Sequence, residues 1–398
     1  MRQRLLIILA LALAALLLGA CSPSPEATPT PTRTPQPTEV PATAKVVPSA
    51  TSLPPTPVPT ATSPSTPTAV PTPLNINPLT GLEVADPAVL ERIPLAIKIS
   101  NFPAANVRPQ SGINSADVVF EHIAEGGVTR LTGVYLSQDA SPIGSVRSGR
   151  IVDKEVMRMF HAVFACSGLS PGNVTDFSAL PEFAEGRIFS PSYGDWSPMF
   201  YRLDNGQVAP HNEFTDTPAL WAEATRRGIN SRQTIRAWAF DPAIPAGGEP
   251  TATLQVNYKA LDSRAEWRYD AASGLWQRWQ GGVRFSDRLT GQQTTAANVI
   301  VVYAIHIDTL IQEDASGAKS VEIQLWGDGD AILFRDGQAH RVRWHREDPS
   351  YLFSITTADG KTVPLKPGNT WVQLAYASAT QTTAVNAGTW TVETAKGP

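Results

Sequence analysis

From Ser22 to Pro73 the chain consists almost entirely of Pro, Thr, Ser, Ala and Val, without one aromatic residue. That stretch separates the part of this 398-residue chain that can fold from the part that cannot. Lacking large apolar side chains, it cannot bury enough surface to offset its ordering entropy, and its prolines favour extended polyproline II. Residues 21–73 therefore read as a disordered Pro/Thr-rich stalk, with a fully extended span on the order of 160 Å at about 3.1 Å per residue. Its Ser and Thr residues allow O-glycosylation.

The residues ahead of the stalk specify how it is held. Arg2 and Arg4 precede an apolar run from Leu5 to Leu18, which is followed by Gly19-Ala20-Cys21. The run is shorter than the roughly 20 residues of a spanning helix, and the arginines favour the cytoplasmic side, so residues 1–20 read as a signal peptide. Leu18-Gly19-Ala20-Cys21 resembles the bacterial lipobox, whose cysteine is acylated before cleavage on its amino side. Two or three acyl chains on Cys21 would anchor the protein stably. The expectation is an exported protein held to a membrane or the cell surface by Cys21, with the number of membranes left open.

The formal charge of −4 becomes −6 once Arg2 and Arg4 are removed, which lends no support to nucleic-acid binding. Of the two cysteines, Cys166 alone stays free if Cys21 is lipidated, so no internal disulfide is expected. It ends the apolar run His161 to Cys166, where a lone cysteine is either a small buried hydrophobe or a nucleophile.

The folded region opens at Asn77-Pro78-Leu79-Thr80-Gly81-Leu82. Pro94 to Ile99, Asp117 to Ile123, Leu131 to Leu136 and His161 to Cys166 read as strands. Arg150 to Phe160 has a helical apolar face, and Thr217-Pro218 opens a second helix that stops at Gly228. Beyond Pro245-Ala246-Gly247-Gly248-Glu249-Pro250 come β-rich runs at Leu254 to Tyr258, Glu266 to Tyr269, Val299 to Ile307, Val321 to Trp326, Tyr351 to Ile355 and Trp371 to Leu374. The fold class is α+β. A mixed α/β domain over 74–245 is expected to precede a smaller, mainly antiparallel β domain over 250–378, and 379–398 read as a tail.

Several motifs together resemble the YerB-like lipoproteins, the family of domain of unknown function 3048. They are Asn77-Pro78-Leu79-Thr80-Gly81, Arg108-Pro109-Gln110-Ser111-Gly112, Ala116-Asp117 through Glu121, Glu125-Gly126-Gly127-Val128-Thr129-Arg130, Ile143 through Arg150, His211-Asn212, and Pro367-Gly368-Asn369-Thr370-Trp371-Val372. The resemblance spans Asn77 to about Tyr376. It implies a mixed α/β first domain, a smaller second domain and a lipid anchor, and it brings no activity. Ser100 departs from the family pattern, which more often has an acid before Asn101, and Ala165-Cys166-Ser167-Gly168 replaces a more glycine-rich turn.

Candidate chemistry gathers in the first half. If Asp117 to Glu125 continues as a strand, Asp117, Glu121 and Glu125 share one face, where they either act together or pair with arginines. Ser148 reads as the N-cap of the Arg150 helix, with Arg147 and Arg150 placed to hold a phosphate or carboxylate or to form internal ion pairs. Gly126-Gly127 would let Arg130 turn toward the same site. Arg108, Gln110 and Ser111 occupy a Pro- and Gly-bounded loop of the kind that presents polar groups to ligands. His211, beside Asn212, is the residue whose ordinary pKa lies near neutrality. Trp326 to Asp330 lacks the later carboxylate of an EF-hand and reads as a β-turn. The tryptophans after Trp238 read mainly as core. No metal or cofactor is implied.

Three functions follow from these features. The first is a lipoprotein that binds an anionic or polar envelope ligand or peptide, motivated by the clustered arginines. The second is an envelope hydrolase using paired carboxylates, for which the chain carries no nucleophile elbow and no HExxH helix. The third is a scaffold for envelope proteins. The sharpest expectation is that Asp117, Glu121, Arg130 and Arg147 converge on one accessible site.

Overall fold

Apolar side chains at every second position make Leu95–Ser100, Val118–Ile123 and Thr129–Tyr135 strands that bury both faces. In the first of these, Leu95, Ile97 and Ile99 join one apolar cluster, whereas Ala96 joins another on the opposite face. The three strands pair antiparallel, with Lys98 opposite Thr132, Ser100 opposite Arg130, and His122 opposite Arg130. Directly opposed residues share a face. This register therefore puts Lys98, Ser100, His122, Arg130 and Thr132 on one side of the sheet and Glu121 on the other.

The computed structural model describes residues 75–378, 381–382 and 388–394, all within one unit that spans 69–398. The expected signal peptide, Cys21 and stalk lie outside the described residues. Among those residues the largest sheet has twelve strands. From one edge its main path runs Ser354–Thr356, Gln338–Arg346, Gly327–Arg335, Asn298–Gln312, Thr370–Tyr376, Val118–Ile123, Thr129–Tyr135, Leu95–Ser100, Val163–Ala165 and Ile188–Phe189. Strands from both halves of the chain thus share one sheet, joined where Thr370–Tyr376 pairs in parallel with Val118–Ile123.

A second sheet, built around Thr253–Asn257, Ala265–Asp270 and Leu275–Gln280, packs Leu254, Val256, Trp267 and Trp276 against Ile97, Val119 and Leu131. Within 379–398, Thr389–Glu393 pairs in parallel with Thr253–Asn257 and buries Trp390. The helix Val152–Met159 covers the opposite face of the large sheet, where Val156, Met159 and Phe160 meet Ala96, Phe120 and Val134. Helices are few and strands many, in agreement with the mixed class.

Asn298–Gln312 outruns the sheet. Asn298 to Ala304 pair with neighbouring strands, but from Ile305 onward the strand pairs with Lys319–Gln324, forming a hairpin arm. Near its tip, Ile311 Cγ2 lies 2.6 Å from where a Cβ on Gly172 would stand, so only glycine permits this approach to the helix Pro171–Ser178.

Several local expectations are corrected. The strand ends at Ile123, and Glu125 opens the short 3-10 turn Glu125–Gly127, so Asp117, Glu121 and Glu125 do not line one strand face. Ser148 does not cap the helix. The N-cap is Ile151, which makes no side-chain cap, and the Asp153 carboxylate of the first turn instead accepts from the Arg150 N–H at 2.7 Å. Trp326 to Asp330 is not a turn either, because Gly327–Arg335 is a strand whose Asp328 and Asp330 pair with Arg343 across the ladder. Trp238, Trp267, Trp276, Trp344, Trp371 and Trp390 are buried, as the core reading requires.

Candidate functional site

The second half of Leu95–Ser100 has no regular strand on its outer edge, and the loop from Ile143 to Arg150 takes that place. Ser100 N–H donates to the Ser145 carbonyl at 2.9 Å, and Arg147 N–H donates to the Lys98 carbonyl at 3.0 Å. Arg147 is thereby set on the edge of the strand whose Ser100 faces Arg130. The strand Glu213–Thr215 pairs with Ile143–Gly144, and the Ser145 hydroxyl donates to the His211 carbonyl at 2.5 Å, which brings His211 beside Arg147.

Three arginines meet here and are partnered unequally. Arg150 donates through Nε and Nη2 to both carboxylate oxygens of Glu125, the second at 2.7 Å, and its Nη1 stands 3.6 Å from Glu313. Arg130 reaches Glu125 only at 4.0 Å. Among the described residues neither Arg130 nor Arg147 donates a side-chain hydrogen bond, and Arg147 has no ion pair. Their Nε atoms are buried and unpartnered, as is Nδ1 of His211. Arg92, Arg187 and Arg278 also have unmatched buried nitrogens, but each donates a hydrogen bond elsewhere. Two adjacent guanidiniums that donate none call for an explanation.

The electrostatics agree. Burial, then the neighbouring Arg150 charge, pulls Arg130 down to about 9. The same two causes lower Arg147. Burial and the charges of Arg147 and Arg130 hold His211 below its ordinary value, so its ring is neutral at pH 7. Glu125 is held below the usual carboxylate range because Arg150 outweighs the effect of burial. Glu213 also lies near Arg147 but is engaged by Arg202 at 2.9 Å. Four arginines, Arg130, Arg147, Arg150 and Arg202, against Glu125, Glu213 and Glu313 leave an excess of positive charge, which suits a phosphate or carboxylate.

Beneath this cluster lies a sealed network. The Lys98 ammonium donates to His122 Nε2, to Thr132 Oγ1 at 3.1 Å and to Asp153 Oδ1 at 2.9 Å. His122 Nδ1–H donates to the Ile123 carbonyl at 2.9 Å, and Thr132 donates to Asp153 at 2.6 Å. Burial pulls Lys98 down to about 8, while burial and the Lys98 charge push His122 down to about 3. Every donor of the ammonium is matched.

The four side chains expected to converge do not all meet. Glu125, Arg130, Arg147, Arg150 and His211 come together, and Ser148 contributes its carbonyl to Arg150 Nη1 at 3.1 Å. Asp117 and Glu121 do not join them. Glu121 lies on the opposite sheet face, sealed against Arg278 at 2.6 Å and Trp371 Nε1 at 3.2 Å. Asp117 is buried as a clasp that accepts from Asn77 Nδ2 at 2.8 Å and from the N–H groups of Leu136 and Ser137. These two carboxylates share no site.

The loop residues are braces. Arg108 donates to the carbonyls of Asn101 and Asp262, Gln110 to the Ser100 carbonyl, and Ser111 to the Pro142 carbonyl. Asn212 is engaged by Arg202 and Leu203. Cys166 is buried, with its thiol pushed up to about 11 by desolvation, which removes it as a nucleophile at neutral pH. Asn173 and Glu313 border the cluster unannounced in the sequence, because long separations and the arm's course bring them there.

Residues 79–230 match the family model "Protein of unknown function (DUF3048) N-terminal domain", and residues 254–372 match the DUF3048 C-terminal domain. The chain is 29% identical over 300 residues to "Putative lipoprotein YerB" of Bacillus subtilis (strain 168), covering 75% of this chain and 85% of that protein. The crystal structure of the YerB protein from Bacillus subtilis aligns with a TM-score of 0.63 at 28% identity, over 75% of this chain and 96% of that one. With both family regions present in order, the chain belongs to the DUF3048 family, alongside YerB.

Proposed function

We propose that this protein is an exported lipoprotein, anchored through Cys21, that binds an anionic ligand of the cell envelope at Arg130, Arg147 and His211. The anchor is supported by the lipobox-like Leu18-Gly19-Ala20-Cys21 and by the name of the Bacillus relative. The observation that carries the binding reading is the pair of neighbouring guanidiniums with no hydrogen-bond partner among the described residues. Two like charges held together at partial burial repel one another, and an anion between them relieves that repulsion while satisfying their donors. A neutral imidazole adds a donor or acceptor that follows the ligand's protonation state.

The test uses two variants in the full chain. Cys21→Ala is expected to abolish membrane retention on fractionation, whereas Arg147→Ala stays in the membrane fraction. Isolated anionic envelope polymer is expected to bind the wild type and not Arg147→Ala. Equal binding by the two would remove the functional reading of the cluster.

A further inference from the structure

We infer that Glu313 sets the affinity of the Arg130–Arg147 site, acting as a built-in carboxylate beside Arg150 that competes with an incoming anion. This rests on the reading of the cluster as an anion site. Glu313 comes from the tip of the hairpin arm, and its side chain is 1% exposed. Its Oε1 accepts from Asn173 Nδ2 at 2.7 Å. Its Oε2 is buried, has no hydrogen bond, and meets Arg150 Nη1 only at 3.6 Å. A carboxylate offers about four acceptor positions, so one hydrogen bond leaves most of them unmet at a buried position. Arg150 is meanwhile satisfied by both oxygens of Glu125. Glu313 is thus a poorly matched buried partner beside Arg150, next to the cationic pair.

The return strand of the arm is anchored by buried Ser320 and Ile323, but the end that carries Glu313 is more exposed. Leu310 is 93% exposed and Ile305 55% exposed, and the tip is seated by Ile311 over Gly172 and by Glu313 on Asn173. Releasing the tip loses one hydrogen bond, a long ion pair and the packing of Ile311 on Gly172. It removes a negative charge whose field reaches Arg130. An anion with a single carboxylate offers the arginines no more than Glu313 does, whereas a pyrophosphate group brings more charge and more acceptors.

The probes are pyrophosphate and acetate, titrated calorimetrically into the full chain at low ionic strength. Glu313→Gln keeps the oxygen that Asn173 binds and removes the charge. It is expected to raise pyrophosphate affinity about tenfold, and acetate affinity by less, since the repulsion removed scales with the charge of the ligand. Gly172→Ala places a Cβ against Ile311 without altering any charge, and it too should raise pyrophosphate affinity. Unchanged or weaker pyrophosphate binding by Glu313→Gln would overturn the inference. So would wild-type affinity in Gly172→Ala when hydrogen exchange shows its tip released. Arg147→Ala separates the two levels: if it binds pyrophosphate as the wild type does, the anion-site reading itself fails, whatever Glu313 does.

Discussion

Under the helix Val152–Met159, Lys98, His122, Thr132 and Asp153 form a network with every donor of the ammonium matched and no side chain open to solvent. Two residues back along the Thr132 strand and on the same face, Arg130 sits beside Arg147, and neither has a hydrogen-bond partner among the described residues. The first cluster has its counter-charge fixed inside the fold. The second is short of one, since Glu125 is taken by Arg150 and Ser100, opposite Arg130, carries no charge. Polar groups packed under a helix must be satisfied by the protein, or the fold suffers. Cations on the rim can be left for a ligand to satisfy. Charge and burial alone do not distinguish a structural cluster from a binding one; closure does.

The largest effect is expected inside the network. Asp153→Ala strands the buried Lys98 ammonium and should cost about 3 to 5 kcal/mol in chemical denaturation. A loss below about 1 kcal/mol would show that the network is not the structural half of the pair.

Acid should separate the clusters next. His122 titrates at about 3 in the folded state against an ordinary 6.5, so the unfolded chain takes up a proton that the fold refuses. Stability then falls as pH drops through that window, by about 1.4 kcal/mol per unit and hence about 2 kcal/mol between pH 6.5 and 5. Asp153, held below its ordinary value, adds to the loss only lower, near pH 4 and beneath. His122→Gln should lessen the slope above pH 5 more than Arg147→Ala does, since the latter relieves only part of the depression of His211. A slope unchanged by His122→Gln would break the assignment.

A smaller effect concerns the missing counter-charge. Ser100→Asp places a carboxylate opposite Arg130, and pyrophosphate affinity should fall several-fold while the melting temperature holds or rises. Unaltered affinity would mean that Arg130 does not contact the anion.

Much of the fold was legible. The alternation in Leu95–Ser100 and Val118–Ile123 and the apolar face of Val152–Met159 are local signals, and the expected elements lie within a few residues of the observed ones. The sheet order was not legible, because Thr370–Tyr376 meets Val118–Ile123 across some 250 residues and nothing local encodes that pairing. The arrangement of the arginines was not legible for a related reason. Sequence placed arginines and a Gly-Gly turn together, but the face Arg130 takes depends on its register with His122, and a one-residue slip would have put it beside Glu121. Glu313 was invisible, since only the three-dimensional path of the arm brings it to Arg150.

The most direct test of the unmatched arginine pair is the melting temperature of the wild type and of an Arg130→Ala, Arg147→Ala double variant, each with and without pyrophosphate at low ionic strength. A ligand that binds only the folded state raises its stability. The wild type should melt higher with pyrophosphate, and the double variant, no less stable than the wild type without ligand, should not respond. A double variant that is strongly destabilised, or one that gains the same increment from pyrophosphate, would contradict the claim.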